Sequence, residues 1–362
     1  MKIGILGAGQ LGRMLALAGY PLGLEFAFLD PAEEACAAPL GEHLRAEYTD
    51  EAALEKFCAG IDLATYEFEN VPQQAAEFVA ARVPLYPGPR ALTAGQDRLS
   101  EKQLFVSLGI PVPKFAAVSS HAGLENAARH TGLPAVLKTR RMGYDGKGQY
   151  VLRSAADFDA AWQQLGRQPL ILEAFVPFER EVSCLAVRGR DGAIQFYPLV
   201  ENVHRSGILR TARPLANDPL QKLGEDYARR VLEHADYVGV LAFEFFVSEG
   251  GLLANEIAPR VHNSGHWSIE GAECSQFENH LRAIAGLPLG STALRGESLM
   301  VNFIGSAPPL PAMAALEGVH VHLYGKLPKP QRKIGHATLT AANGATLEAR
   351  LRLLEPLLDQ NG

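Results

Sequence analysis

Two glutamates interrupt neighbouring apolar runs in the second half of the chain. Glu244 lies in the run at residues 240–247, and Glu256 lies in the run at 252–257. Both runs predict β-strands of one hairpin. If the connecting loop has three residues, Glu244 lies directly opposite Glu256, whereas a two-residue turn places Glu244 opposite Asn255.

Two carboxylates side by side in an apolar sheet repel each other. This repulsion raises the pKa of one of them unless a divalent cation lies between them. We therefore predict a metal site at Glu244 and Glu256, on the condition that the loop has three residues. The alternative is a pair of carboxylates at the rim of an edge strand, which the strongly apolar flanks of both residues disfavour.

A glycine-rich segment lies between two further predicted strands. Lys138 ends the apolar run at 135–137, and Gly143, Gly146 and Gly148 follow it. The segment predicts a mobile hairpin loop whose backbone amides wrap a polyphosphate. Because an unpaired ammonium group is costly to bury, Lys138 indicates an anionic partner. A solvated turn would explain the glycines but not Lys138.

A dense set of hydrogen-bonding side chains follows Glu256, at residues 258–267. His262 and His266 are four positions apart and could ligate a transition metal on a helix, but Pro259 and Gly265 favour a loop. Beside a cation site, such donors are typical of a pocket for an anionic, hydrogen-bonding substrate.

The N-terminal residues match a dinucleotide-binding pattern. Gly7, Gly9 and Gly12 follow a predicted strand and begin a helix, and Asp30 ends the next predicted strand. This pattern allows a nicotinamide-dependent oxidoreductase. The chain offers no second mononucleotide-binding half, so we favour a glycine turn that holds the phosphate or carboxylate of another ligand. A purely structural turn is the remaining alternative.

The first ninety residues alternate predicted strands with predicted helices, which predicts a parallel, doubly wound α/β sheet. The strands cover residues 3–6, 26–29, 63–66 and 83–86, and the helices cover 10–19, 51–58 and 73–81. The Pro-Gly-Pro segment at 87–89 ends this alternation. An amphipathic helix is predicted at 97–108, after an acidic cap.

From residue 110 onward, glycine-containing loops join the predicted strands, which is typical of an antiparallel sheet with packed helices. These strands cover 135–139, 150–152, 170–174, 181–187, 194–200, 240–247 and 252–257, with a long helix at 220–237. A third section has strands at 300–304, 319–323 and 337–339 and a short helix that ends near residue 358. We therefore predict three domains, at residues 1–90, 91–290 and 291–362.

The composition limits the class of protein. The chain has 362 residues, a net charge of −6 and 47% hydrophobic residues, and it contains no apolar run long enough to span a membrane. The acidic balance predicts no general attraction to nucleic acid or to anionic membranes. Four widely spaced cysteines without a signal peptide lead us to expect a reduced, cytoplasmic protein with a small-molecule ligand.

Taken together, the motifs resemble those of the ATP-grasp superfamily over nearly the whole chain. They are GAGQLGRM at 7–14, YEFENVP at 66–72, DRLSEKQLF at 97–105, KTRRMGYDGKGQ at 138–149, EAFVPFEREVS at 173–183, the glutamate hairpin, APRVHNSGHW at 258–267 and YGK…RKIGH at 324–336. The resemblance implies an N-terminal parallel βαβ (pre-ATP-grasp) domain, a central ATP-grasp domain with antiparallel sheets, and a small β-rich C-terminal domain.

The last two blocks resemble one branch of the superfamily, whose members act in de novo purine biosynthesis. The implied reaction joins ATP, bicarbonate and 5-aminoimidazole ribonucleotide into the N5-carboxylated nucleotide, ADP and phosphate, through carboxyphosphate. Two Mg²⁺ ions and a homodimer are implied as well, with no binding to nucleic acid or to a membrane.

The resemblance also implies roles for individual residues. ATP would be held by Arg98, Lys138, Gly143, Tyr144, Asp145, Gly146, Lys147, Gly148, Gln149, Glu173, Ala174, Phe175, Val176, Glu181, His204, Asn255 and Glu256. Magnesium bridging its phosphates would be held by Glu244, Asn255 and Glu256. The ribonucleotide would contact Gln10, Leu11, Glu69, Arg260, His262, Asn263, Ser264, His266, Lys326 and Arg332. Tyr144, Asp145 and Lys138 would act in catalysis, with Asp145 as the candidate base.

Two further alternatives stay open at this point. A related ATP-grasp ligase that uses formate or an amino acid would share Glu244, Glu256 and the glycine loop, but should lack the block at 258–267. A non-catalytic nucleotide-binding regulator would not need the full set of carboxylates and loop lysines.

Overall fold

The N-terminal region forms a parallel sheet, as predicted. The structure is a computed structural model that describes residues 1–143 and 146–359. The strands are β1 (Lys2–Leu6), β2 (Glu25–Leu29), β3 (Glu42–Leu44) and β4 (Leu63–Tyr66), and the helices are α1 (Gln10–Gly19), α2 (Glu51–Ala59) and α3 (Gln73–Ala80). The strand order is β3-β2-β1-β4.

The predicted strand at 83–86 is wrong. In this part of the described chain, Leu85 forms only an isolated bridge to Ala64. Pro84 has no N–H to donate, which prevents a regular ladder. The short strand β3 was not predicted, because its three residues are too few to show a periodic pattern.

Two helices follow the parallel sheet, α4 (Pro89–Gln96), which was not predicted, and α5 (Arg98–Ser107). Asp97 caps α5 as predicted, accepting hydrogen bonds from the N–H groups of Leu99 and Ser100 at 3.0 and 3.3 Å. The same carboxylate accepts two bonds from Arg140, at 3.0 and 2.7 Å. The start of α5 is therefore fixed to the glycine-rich segment that contains Arg140.

A small antiparallel sheet comes next. Its elements are β5 (Phe115–Val118), α6 (His121–Thr131), β6 (Ala135–Thr139), β7 (Gln149–Leu152), α7 (Phe158–Leu165) and β8 (Leu170–Ala174). The strand order is β5-β8-β6-β7. Since Lys138 pairs with Gln149 across β6 and β7, the glycine-rich segment is a hairpin loop, as predicted.

A nine-stranded sheet contains the rest of the chain. Its strands are β9 (Arg180–Arg188), β10 (Ile194–Phe196), β11 (Val200–Arg205), β12 (Ile208–Pro214), β13 (Gly239–Ser248), β14 (Gly251–Ala258), β15 (Glu297–Ile304), β16 (Val319–Leu323) and β17 (Lys333–Ala341). The helices are α8 (Gln221–His234), α9 (Ser268–Gly271), α10 (Gln276–Ala285), α11 (Leu310–Ala314) and α12 (Gly344–Asp359). The order is β14-β13-β9-β11-β12-β15-β17-β16, and β10 pairs with β9.

The C-terminal strands continue the central sheet. β12 pairs with β15 through Thr211 opposite Val301 and Ala212 opposite Met300. The predicted strand at 194–200 is divided into β10 and β11, because Pro198 interrupts the ladder. No helix in the described part of the chain is long and apolar enough to cross a membrane.

The carboxylate of Glu67 occupies the glycine turn at the start of α1. Its Oε1 accepts the N–H of Gly9 at 2.7 Å, and its Oε2 accepts the N–H of Gly12 at 2.9 Å. A Cβ atom on Gly7 or Gly9 would lie 2.6 Å from an atom of Glu67. The glycines therefore make room for a carboxylate of the chain itself, and not for another ligand's phosphate or carboxylate as we had favoured.

The dinucleotide alternative loses its physical basis for the same reason. A pyrophosphate needs the free amides at such a helix start, and Glu67 already binds two of them. Asp30, which would bind the ribose, accepts the N–H groups of Ala8 and Ala32 at 2.8 and 2.7 Å. This pattern of glycines serves the fold.

Replacing Glu67 by alanine should destabilise the N-terminal sheet, because two backbone N–H groups lose their acceptor. At about 1–3 kcal/mol for each of the two unpaired donors, we expect the free energy of unfolding to fall by about 2–6 kcal/mol. Glu67→Gln, whose amide oxygen can still accept one bond, should lose about half as much. Urea denaturation followed by circular dichroism measures both variants. A Glu67→Ala protein as stable as the wild type would show that the turn does not need this carboxylate.

Candidate active site

The turn between β13 and β14 has two residues, the second of the two turns considered from the sequence. Glu249 and Gly250 form it, with φ angles of 51° and 73°. Two positive φ angles are typical of a type I′ turn, whose twist matches that of the flanking strands. With this turn alone, Glu244 would lie opposite Asn255.

A β-bulge at Asn255 nevertheless brings the two glutamates together. The register follows the two-residue turn as far as Phe245, which lies opposite Ala254, and it shifts by one residue between Phe245 and Glu244. Beyond the shift, Glu244 lies opposite Glu256, as predicted. Asn255 is the extra residue, and no residue type in this strand marks a bulge in advance.

Glu256 forms an ion pair with Arg98. Nη1 of Arg98 lies 2.6 Å from Oε2 of Glu256. Loss of hydration in the protein disfavours the charged form of Glu256. The charge and the hydrogen bond of Arg98 outweigh this effect and lower the pKa of the carboxyl group. Glu256 is therefore ionised at neutral pH, and the first residue of α5 supplies its counter-charge.

The pKa of Glu244 shifts in the opposite direction to that of Glu256. Burial and the charge of Glu256 raise its pKa to about 7, against the weaker effect of His204. Its Oε1 lies 3.6 Å from Nε2 of His262. Burial and the charge of Arg260 hold the pKa of His262 well below its ordinary value, so this histidine is neutral. Glu244 is the member of the pair that exchanges a proton near neutral pH.

The oxygen atoms of this hairpin suit a hard divalent cation. Oδ1 of Asn255 is buried beside Glu244 and Glu256, and no described residue donates a hydrogen bond to it. Among the residues that the structure describes, no group of three or more His, Cys, Asp or Glu side chains could hold a metal ion. Two carboxylates together with substrate phosphates are a typical environment of Mg²⁺. A cation here would share its coordination with a ligand.

A cleft of about 400 Å³ lies between the small sheet and the large sheet. Most residues predicted to bind ATP and its metal line it: Arg98, Lys138, Gly146, Lys147, Gln149, Glu173, Ala174, Phe175, Val176, Glu181, His204, Glu244, Asn255 and Glu256. Four other apolar residues of its walls were not predicted: Val136, Val151, Phe178 and Phe246. The rings of Phe178 and Phe246 stack 5.0 Å apart, and this apolar surface suits a purine ring.

Lys138 has a partner within the protein. Its Nζ lies 2.9 Å from Oε2 of Glu173, whose side chain is buried. Burial opposes the charge of Glu173, but Lys102, Lys138 and Arg98 outweigh it and lower the pKa of the carboxyl to about 2. Within the protein, Glu173 is therefore an anionic partner of Lys138. The contact of Lys138 with a phosphate stays a prediction.

His204 and Glu181 face the same cleft. Nδ1 of His204 lies 3.2 Å from Oε2 of Glu181. Burial opposes the charge of His204, but Glu181 and Glu244 outweigh it and raise the pKa of the imidazole. A protonated His204 adds positive charge at the wall where phosphates are predicted.

The described part of the glycine loop borders the nucleotide cleft, which Gly146 and Lys147 line. A Cβ atom on Gly146 would lie 3.1 Å from the carbonyl oxygen of Ser206, in the turn between β11 and β12. Gly148 has a φ of 72°, and a Cβ atom there would lie 2.7 Å from Oγ1 of Thr139. Both positions require glycine. The predicted catalytic residues Tyr144 and Asp145 lie outside the described residues.

A second cleft, of about 60 Å³, adjoins the first. Arg98 and Glu256 line both clefts, so their ion pair is a shared wall. Glu69 and Arg260, which were predicted to contact the ribonucleotide, form an ion pair of 2.6 Å in the second cleft. Two further predicted residues, Gly143 and His262, also line it.

Three predicted substrate residues of the block at 258–267 are buried and line none of the three clefts described here. They are Asn263, Ser264 and His266. Asn263 exchanges side-chain hydrogen bonds with Asn302. The structure places these residues in the scaffold of the site.

A third cleft, of about 360 Å³, is lined by basic side chains of the C-terminal region. Gln10, Lys326 and Arg332, all predicted for the ribonucleotide, line it, and Nζ of Lys326 contacts the side-chain oxygen of Gln10. Lys147, Lys329 and Lys333 also line it, a concentration of cations that suits a phosphate group. Leu11, by contrast, is buried in a hydrophobic core that α1 shares with α10.

Two buried charged residues of α5, Glu101 and Lys102, were not predicted as site residues. Both are 1% exposed, and both contact the backbone of β14 beside Glu256. A usable signal was the helical spacing: Glu101 precedes the buried Phe105 by four residues and therefore lies on the buried face of α5. Charged residues are rarely buried without a specific partner.

Comparison with known proteins divides the chain into three matched segments. Residues 1–96 match the ribonucleotide synthetase preATP-grasp domain, and residues 103–277 match the ATP-grasp domain. Residues 298–350 match the phosphoribosylaminoimidazole carboxylase C-terminal domain. These matches and the three sheets confirm the predicted fold class.

Known relatives match nearly the whole chain. The N5-carboxyaminoimidazole ribonucleotide synthase of Pseudomonas aeruginosa is 60% identical over 359 residues, covering 99% of this chain and 100% of that protein. The crystal structure of the synthetase from Thermus thermophilus is 56% identical, with a TM-score of 0.94 and 98% of each chain covered.

A third relative comes from Aspergillus clavatus and was crystallised with ADP and 5-aminoimidazole ribonucleotide. It is 31% identical, with a TM-score of 0.92, and the match covers 99% of this chain and 98% of that one. Since the sequence agrees over essentially the full length of all three relatives, and the fold agrees for the two crystal structures, the chain belongs to the N5-carboxyaminoimidazole ribonucleotide synthase family of ATP-grasp proteins.

Proposed function

We propose that the protein carboxylates 5-aminoimidazole ribonucleotide with bicarbonate at the expense of ATP, giving N5-carboxyaminoimidazole ribonucleotide, ADP and phosphate in purine biosynthesis. The observation that carries this proposal is the wall that Arg98 and Glu256 form between the first and second clefts. A nucleotide in the first cleft and the amine of a ribonucleotide in the second would meet there. Such proximity replaces an encounter in solution.

The first step transfers the γ-phosphoryl group of ATP to bicarbonate. Both partners are anions, so the site must supply positive charge. Lys138 and Arg98 lie at the cleft and supply it. A Mg²⁺ ion held by Glu244, Asn255 and Glu256 would neutralise and orient the phosphates. A bicarbonate oxygen bonds to the γ-phosphorus as the bond to the β-phosphate oxygen breaks, which yields carboxyphosphate and ADP.

The second step joins the carboxyl carbon to the exocyclic amine. Carboxyphosphate is unstable in water, so the site must exclude water, and we assign this task to the glycine loop, in which Gly146 packs against Ser206. The amine nitrogen bonds to the carbon, phosphate leaves, and a base takes the amine proton. From the resemblance of the sequence, we propose Asp145 as this base and place Tyr144 beside the bicarbonate.

The ribonucleotide would extend from the second cleft to the third. The ion pair of Glu69 and Arg260 offers an acceptor and a donor to the aminoimidazole, and Lys326 and Arg332 suit its phosphate.

The related ligases and the non-catalytic regulator are disfavoured by membership of this family. The homodimer, the cytoplasmic location and the domain borders at residues 90 and 290 stay predictions.

An ADP-release assay tests the function directly. Release should be rapid only when ATP, bicarbonate and 5-aminoimidazole ribonucleotide are all present, and calorimetry should detect binding of MgATP but none of NADH. Formate in place of bicarbonate serves as the control for a related ligase. A rate of ADP release that does not depend on the ribonucleotide would contradict the proposed reaction. An equal rate with formate in place of bicarbonate would contradict it too.

Replacing Glu244 by glutamine should remove a proton-linked step from metal binding. In the wild type the pKa of Glu244 is raised to about 7, so at lower pH a proton competes with the cation for this carboxylate. In the presence of ADP, Mg²⁺ should therefore bind about tenfold more weakly at pH 6 than at pH 8. Calorimetry in buffers of different ionisation enthalpy measures the affinity and the released proton. Glu244→Gln should bind Mg²⁺ weakly at both pH values and release no such proton.

The stability of the same variant provides a control without metal. Since the folded protein raises the pKa of Glu244 from 4.5 to about 7, it holds this proton more tightly than the unfolded chain does. The free energy of unfolding of the wild type should therefore fall as the pH rises from 4.5 to about 7. At pH 8, Glu244→Gln should therefore equal the wild type or exceed it by roughly 1–3 kcal/mol. A large loss of stability at every pH would instead indicate a structural role for Glu244.

A further inference from the structure

The paired carboxylates depend on the β-bulge at Asn255. Without the bulge, the two-residue turn would place Asn255 opposite Glu244, and the side chain of Glu256 would point to the other face of the sheet. A bulge also leaves backbone groups without partners in the ladder. Buried backbone groups of this kind must find partners elsewhere.

Helix α5 supplies those partners. Nζ of Lys102 donates to the carbonyl oxygens of Ala254 and Asn255, at 3.0 and 2.5 Å. On the other side of the bulge, the N–H of Ile257 donates to Oε1 of Glu101 at 2.7 Å. Two adjacent side chains of one helix therefore hold the backbone on both sides of the bulge.

We propose that Lys102 is a positioning residue for the reaction: together with Glu101, it fixes the bulge and thereby places Glu256 opposite Glu244 to hold the cation and the nucleotide phosphates. Because its side chain is 1% exposed, Lys102 acts through Glu256 and not on a substrate. This inference rests on the proposed function, in which the pair of glutamates binds a cation.

The surroundings of Lys102 support a specific role for its charge. A buried ammonium group loses its hydration, and burial lowers the pKa of Lys102. The two carbonyl oxygens and the carboxylate of Glu173, 3.6 Å away, offset this loss. Glu173 also binds Lys138, which connects the bulge to the phosphate side of the nucleotide cleft. An apolar side chain would suffice if α5 only had to pack against β14.

Glu101 allows geometry to be separated from charge. Burial raises the pKa of Glu101 to about 8, and either protonation state has an oxygen that can accept the N–H of Ile257. Glutamine keeps such an oxygen and removes the charge. Methionine removes the acceptor, with a side chain of similar length.

The test compares Lys102→Met, Glu101→Met and Glu101→Gln in the full-length protein. A crystal structure of Lys102→Met should show the bulge displaced, with Glu256 no longer opposite Glu244. Mn²⁺ replaces Mg²⁺ as a probe that electron paramagnetic resonance can detect. In the presence of ADP, Lys102→Met should bind Mn²⁺ about tenfold or more weakly than the wild type, as is typical when a residue that orients a metal ligand is lost. ADP without metal should bind within about threefold of the wild type, a difference below 1 kcal/mol. Glu101→Met should weaken Mn²⁺ binding too, and Glu101→Gln should restore it.

Each outcome decides the proposal. Unchanged pairing of Glu244 and Glu256 in Lys102→Met, or nearly unchanged Mn²⁺ affinity, overturns it. Equal losses of ADP and Mn²⁺ binding would indicate general damage and also overturn it. If Lys102→Met does not fold, equal Mn²⁺ binding by Glu101→Met and Glu101→Gln overturns it. The proposed function fails separately, when wild-type protein binds Mn²⁺ and ADP but releases no ADP in response to the ribonucleotide.

Discussion

Repulsion between the carboxylates of Glu244 and Glu256 is the constraint on which this site depends. The hairpin holds them opposite each other in the wall of a cleft, and Arg98 keeps Glu256 ionised through an ion pair of 2.6 Å. Burial, together with the remaining repulsion from Glu256, raises the pKa of Glu244. The free site can therefore exchange a proton for a cation near neutral pH, which allows binding without a permanent excess of buried charge.

Helix α5 connects the parts that have to act together. Its cap, Asp97, binds Arg140 of the glycine loop, and its first residue, Arg98, binds Glu256. One turn later, Lys102 reaches the bulge and lies near Glu173 of the small sheet. Because one helix makes all these contacts, the start of the glycine loop at Arg140 and the carboxylates of the nucleotide cleft are held in a fixed relation.

Much of this arrangement could be predicted from the sequence, because it follows from local patterns. The alternation of strands and helices predicted the parallel sheet, the apolar runs around Glu244 and Glu256 predicted the hairpin, and Asp97 predicted the start of α5. The motifs also indicated most of the polar residues of the nucleotide cleft. These features depend on neighbours in the chain, which a sequence displays directly.

The rest depends on contacts between distant residues. The glycine turn of α1 looks like a ligand site until β4 brings Glu67 beside it. The extra residue Asn255 and the burial of Lys102 each require the other, since Lys102 binds the backbone that the bulge frees. The spacing of residues within one segment of the sequence shows neither the bulge at Asn255 nor the burial of Lys102. The apolar walls of the nucleotide cleft, such as Phe246, are indistinguishable in sequence from ordinary strand residues.

A crystal structure of the protein with Mg²⁺ and ADP would test the central claim most directly. We expect a cation between Glu244 and Glu256, with an oxygen of each carboxylate about 2.0–2.1 Å from it and phosphate oxygens at further positions. A cation bound away from both carboxylates, or phosphates bound outside the cleft between the two sheets, would contradict the claim that this hairpin is the metal and phosphate site.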